Sequence, residues 1–146
     1  MATITTQPRT TAAANPVSTR LREDPVYQAF SLLRMAFTVA PIVFGLDKFF
    51  HVLVDWDIYM APHLSDIIPG TTHQAMFAVG IVEIVAGLAV ALKPRYGAFL
   101  VAAWLVGIIV NLLLIPDFYD IALRDFGLLL AALTLARLAT VVDSRA

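Results

Sequence analysis

The chain has 146 residues, of which 60% are hydrophobic and 14% charged, against roughly 45–50% and about 25% in soluble domains. So little polar side chain cannot cover a water-soluble fold, and four spans of about 20 residues each account for most of the length, which excludes a separate catalytic domain. Cysteine is absent, excluding disulfides and thiol chemistry by this chain, and a formal net charge of −1 offers no field to nucleic acid, which is not expected as a partner.

Residues 1–24 are rich in Thr, Ala and Pro without an apolar run, so they lack the core of a signal peptide and are expected to form a disordered cytoplasmic tail. Asp24-Pro25 has the chemistry of a helix start, with Asp as cap and Pro in the first turn. A first span is predicted from Val26 to Val54, apolar except for Arg34, Asp47 and Lys48, with Pro41 expected to kink it. Residues 55–72 hold prolines, aspartates, Trp56 and Tyr59, the composition of an interfacial loop with aromatic anchors and room for a short helix. The second span is predicted from His73 to Leu92, the third from Tyr96 to Ile115 and the fourth from Ile121 to Val142, leaving 143–146 as a short tail. The expected fold is all-α, an integral membrane four-helix bundle over residues 25–142.

Eight of the ten basic residues (Arg9, Arg20, Arg22, Arg34, Lys93, Arg95, Arg137 and Arg145) fall at one end of such a bundle, leaving Lys48 and Arg124 at the other. The positive-inside rule then puts both termini in the cytoplasm and the chain in the cell's inner, or plasma, membrane. Asp55, Asp57, Asp66, Asp117 and Asp120 gather at the opposite, outer end.

Ionisable groups within a bilayer are costly and are functional candidates by default. Asp47 and Lys48 on the first span, Glu83 on the second, Asn111 on the third and Arg124 and Asp125 on the fourth share the outer half, at depths of roughly 6 to 12 Å. These six residues form the candidate binding site. Their three carboxylates and two cations leave one carboxyl over, and Glu83, the deepest, is the expected holder of the extra proton. Neighbours in sequence lie about 100° apart on a helix, so one member each of Asp47/Lys48 and Arg124/Asp125 is expected at a rim or against a neighbouring subunit. Gly80, Glu83 and Gly87 share one side of the second span, and Ala103, Gly107 and Asn111 make a similar stripe on the third. Both stripes suit close helix approach. The simpler alternative is that these groups only hold helices together, and Asn111 alone reads that way.

His51, three and four residues beyond Lys48 and Asp47, is a candidate proton relay at the mouth of this cluster. His51 and His73 are the one pair able to attempt a bis-histidine haem, but solvated loop histidines, with His63, are the simpler reading. No metal site is expected, since no HEXXH or HxxxH spacing occurs. Nucleotide-binding and hydrolase motifs are absent too.

Three segments in order, Phe44-Gly45-Leu46-Asp47-Lys48-Phe49, Glu83-Ile84-Val85-Ala86-Gly87-Leu88 and Arg124-Asp125-Phe126-Gly127-Leu128-Leu129, make residues 29–140 resemble the DoxX family of small four-helix membrane proteins. The resemblance implies a shared polar core of Lys48, Glu83, Arg124 and Asp125. Family members include a subunit of thiosulfate:quinone oxidoreductase and a membrane partner of sulfurtransferase and superoxide dismutase in stress defence. It therefore implies an accessory membrane subunit more than a self-contained enzyme, with partner subunits or a homo-oligomer in the lipid bilayer. No covalent cofactor and no catalytic residue are implied, and quinone is the candidate ligand. A non-catalytic scaffold and an oligomeric small-solute transporter remain the alternatives.

Overall fold

A computed structural model describes residues 16–62 and 70–145. Most of the 1–24 tail, Arg9, His63 and Asp66 lie outside the described residues, as does the side chain of Arg22. Among the described residues five helices follow one another: α1 Pro16–Glu23, α2 Pro25–Phe50, α3 Thr72–Leu92, α4 Pro94–Leu113 and α5 Tyr119–Asp143, with a 3₁₀ turn Trp56–Tyr59 between α2 and α3. No strand occurs among the described residues. The four helices α2 to α5 are long and apolar enough to cross a membrane, and large apolar side chains such as Leu32, Met35, Val85, Leu92, Leu123 and Leu130 point outward from them. The chain is a multi-pass membrane protein whose outer surface suits acyl chains rather than water.

Each helix begins or ends for a local reason. Asp24 caps α2, its carboxylate accepting from the backbone N–H groups of Val26 at 2.9 Å and Tyr27 at 3.3 Å, with Pro25 in the first turn. Thr71 and Gln74 form a reciprocal capping box that opens α3. At the far end of α3, Arg34 donates to the Ala91 carbonyl, one of the acceptors that a helix end leaves without an intrahelical partner. Three expectations change. Residues 16–23 of the predicted disordered tail form α1, which the Gln28 side chain holds through the Leu21 carbonyl. The first span ends at Phe50, not Val54, because His51 takes the left-handed conformation (φ 52°) and turns the chain back. The third ends at Leu113, two residues before Ile115.

The four long helices are antiparallel to their neighbours in sequence, and α2, α3, α4 and α5 close into a ring through α2–α5 contacts. Phe30 and Phe37 of α2, Ala86 and Val90 of α3, Val101 and Leu105 of α4 and the Ala132, Leu135, Ala136, Ala139 stripe of α5 pack the core. That stripe has the i, i+3, i+4, i+7 spacing of one helix face. A close seam lies between α2 and α3, where a Cβ on Gly45 would stand 2.6 Å from the Gly80 carbonyl oxygen, and one on Gly87 would stand 2.8 Å from that of Thr38. Only hydrogen fits there, so the two backbones touch. The second stripe is oriented differently from the expectation. Ala103 and Gly107 are exposed, and nothing lies within 4 Å of a Cβ built on Gly107.

Candidate functional site

The α2–α3 seam puts the last turn of α2 against the middle of α3. Gly80 leaves the space that the Lys48 stem occupies, since a Cβ there would lie 3.2 Å from Lys48 Cβ. The Lys48 ammonium donates to Glu83 Oε2 at 2.6 Å, with both side chains buried. It also lies 3.7 Å from the centre of the Trp56 ring, a cation–π contact that covers its outer side.

Asp47 is buried as well, contrary to the expectation that one of these neighbours reaches a rim. The left-handed His51 brings the chain back over the helix end, and the Asp47 carboxylate accepts from the backbone N–H groups of Val52 and Leu53, each at 3.0 Å. The Trp56 indole Nε1–H donates to it at 2.7 Å. One aspartate thus ends the helix and anchors the ring that covers Lys48. Two adjacent residues are both buried because each faces a different neighbour, the returning loop for Asp47 and α3 for Lys48.

The surplus carboxyl among the five charges is consequently Asp47, held by neutral donors, whereas Glu83 has its own cation. Asp125 is buried, and Arg124 Nε and Nη2 both donate to its Oδ1 at 2.9 Å from an exposed position. Here one neighbour faces inward and one reaches the rim, as the 100° spacing requires. Asp125 is within electrostatic reach of Glu83. The bundle therefore unites Lys48, Glu83, Asp125 and, through Trp56, Asp47. Arg124 touches this group only through Asp125.

Asn111 stands apart. Its Nδ2 donates to the Tyr59 carbonyl at 2.6 Å and its Oδ1 accepts from the Ala61 backbone at 2.9 Å. It fixes the loop after the 3₁₀ turn across the end of α4, where Tyr59 also packs on Phe118. With Trp56 against Phe44 and Tyr59, this strap closes the bundle end above the ion pair.

His51, the candidate relay, stacks its ring on His73 with centroids 5.0 Å apart. His73 Nδ1 lies 3.4 Å from Asp57 Oδ2. These three residues, distant in sequence, come together at the α2–α3 end of the strap.

Two tryptophans matter more than their sequence positions suggest. Trp56 has the composition of an interfacial anchor but roofs the site. Trp104, in the middle of α4, interacts with the Glu83 carboxylate at longer range, and its buried Nε1–H has no hydrogen-bond partner. A tryptophan at mid-span was the available signal, because belt tryptophans sit at the interfaces and a buried indole N–H needs an acceptor. Comparison with protein families, with curated proteins and with solved structures found no match for this chain.

Proposed function

We propose that this protein is a DoxX-like integral membrane subunit that supports a quinone-linked or oxidative-stress oxidoreductase complex, with the Lys48–Glu83 pair as its quinone-headgroup or proton site. The observation that carries this reading is the buried Trp104 indole N–H, which faces a carboxylate already shared with Lys48 and has no acceptor at full hydrogen-bond distance. An orphaned buried donor costs about 1–3 kcal/mol, and a carbonyl oxygen placed there would remove that cost. Lys48 can steady negative charge on a reduced headgroup oxygen, and the Glu83 carboxylate, once it has taken up a proton from the aqueous side, can pass that proton to the oxygen. This chain has no cysteine to serve as a thiol redox centre, and in this reading the electrons come from a redox centre on a partner. The chain itself is an accessory subunit in this reading. Its home is the inner, or plasma, membrane with both termini in the cytoplasm, following the basic residues at that end.

Purification in mild detergent at native expression, with identification of co-purifying chains and extracted quinone, tests the assignment. In a reconstituted complex, Glu83→Gln should lower quinone turnover by about 10²-fold, and Trp104→Phe should raise the KM for quinone. Unchanged turnover and KM in both variants would count decisively against a headgroup or proton role.

A second reading, a non-catalytic scaffold, is favoured by the saturation of the site. Lys48 has Glu83 and the Trp56 face, Asp47 has three donors, and Asn111 fastens the strap. Under that reading the same variants change stability in detergent while partner activity is retained.

A further inference from the structure

The end of the bundle that carries the α2–α3 strap holds a group of side chains with no role in the ion pair below it. His51 ends α2, Asp57 lies in the 3₁₀ turn and His73 lies in the first turn of α3. Each offers one ligand atom, and these atoms all lie within 4.8 Å of one another. Two further observations point to a bound ion rather than to a chance meeting of polar loops. His51 Nε2 and Asp57 Oδ1 are both buried without a hydrogen-bond partner, although each is a strong acceptor or donor that burial ordinarily forces into a bond. Two imidazoles, one neutral nitrogen from each, and a carboxylate make a donor set typical of Zn²⁺ and other borderline divalent metals.

We infer that His51, Asp57 and His73 form a binding site for a divalent transition metal of the zinc type. Ligand atoms on a tetrahedral zinc, with bonds of about 2.0–2.2 Å, stand roughly 3.3 Å apart. The His51 and His73 rings are stacked with centroids 5.0 Å apart, so binding turns both imidazoles about their side-chain torsions until one nitrogen of each points at the ion. The backbone supports this, because the left-handed turn at His51 and the helix starts at Asp57 and His73 fix three Cα positions on three separate elements. Three protein ligands leave a fourth position for water or for a donor from a partner. A metal here also clamps the residue next to Trp56, and so holds in place the ring that covers Lys48. The sequence hid the site because its ligands are separated by 5 and 15 intervening residues, a spacing that matches no helical metal motif.

The test is binding of Zn²⁺ alone to the full-length chain, purified in detergent and stripped with chelator. Equilibrium dialysis with metal analysis is expected to give one ion per chain, and Co²⁺ in its place should show the visible bands of a four-coordinate ion. His51→Asn, which removes the imidazole while tolerating the left-handed backbone, and His73→Gln should each weaken Zn²⁺ at least about tenfold with the helical circular dichroism unchanged. Asp57→Asn should weaken it too. The inference is overturned if the native chain binds no stoichiometric Zn²⁺, or if the folded double variant His51→Asn/His73→Gln binds it as tightly as the native chain. The readout is metal content, so it stands or falls separately from any quinone activity.

Discussion

Lys48 and Glu83 show how a buried charge is tolerated at a helix seam. The ammonium has a carboxylate at 2.6 Å and an aromatic face at 3.7 Å, so its desolvation is offset from two sides. Removing one partner leaves the other charged in a dry setting, which typically costs 3–5 kcal/mol, whereas replacing both with apolar groups of similar volume is often neutral. Lys48→Met should therefore destabilise the bundle by about 3 kcal/mol or more, and the double variant Lys48→Met/Glu83→Met should recover most of that loss. Unfolding in detergent, with Glu83→Met as the fourth corner of a double-mutant cycle, measures it; a loss in the double variant equal to the sum of the two single losses would mean that the pair is not coupled. The sequence made these residues visible as charges in an apolar run, and even their sum was legible. It could not say that Asp47 is the surplus carboxylate, because the donors that satisfy it are backbone N–H groups and an indole brought back by a turn at His51.

At the scale of the helix, glycine decides which faces meet. Gly45 and Gly80 present their carbonyls to each other so closely that a methyl on either meets backbone at 2.6 or 2.7 Å, and backbone, unlike a flexible side chain, cannot step aside. Gly45→Ala and Gly80→Ala are each expected to cost about 1–3 kcal/mol through forced separation of α2 and α3, and to loosen the Lys48–Glu83 contact with them. Gly107→Ala and Gly127→Ala meet open space and should be neutral or stabilising by up to about 1 kcal/mol, from the better helix propensity of alanine. Thermal unfolding of the four variants in one detergent makes the comparison, and a loss at Gly107 as large as at Gly80 would contradict the assignment of faces. Sequence periodicity identified both small-residue stripes but oriented only the first. The Gly80–Glu83–Gly87 stripe carries a charge that must turn inward, whereas the Ala103–Gly107 stripe carries none near its middle. In lipid the outer face is as apolar as the core, so hydropathy gives no direction.

For the molecule as a whole, length and composition alone prescribed four apolar helices, and the bundle has them. The ends of the elements were less legible, because His51 and the strap from Trp56 to Ala61 obey local turn chemistry and contacts from Asn111 that a linear pattern does not contain. The two ends of the bundle differ in charge. Among the described residues, Arg20, Arg34, Lys93, Arg95 and Arg145 gather at the end that holds the start of α2 and the end of α5, where Arg145 pairs with Asp24 at 3.4 Å, and Lys48 and Arg124 occupy the other end. This asymmetry predicts that Ser144 faces the cytoplasm and that Asp55 faces away from it. Because the native chain contains no cysteine, Ser144→Cys and Asp55→Cys each introduce a single thiol without background. In intact cells a membrane-impermeant maleimide should label the Asp55→Cys chain and spare the Ser144→Cys chain, and permeabilisation should bring the second to the level of the first. Labelling of Ser144→Cys before permeabilisation would reverse the orientation, moving the histidine cluster and the strap above Lys48 to the cytoplasmic side and requiring any electron-donating partner to dock there.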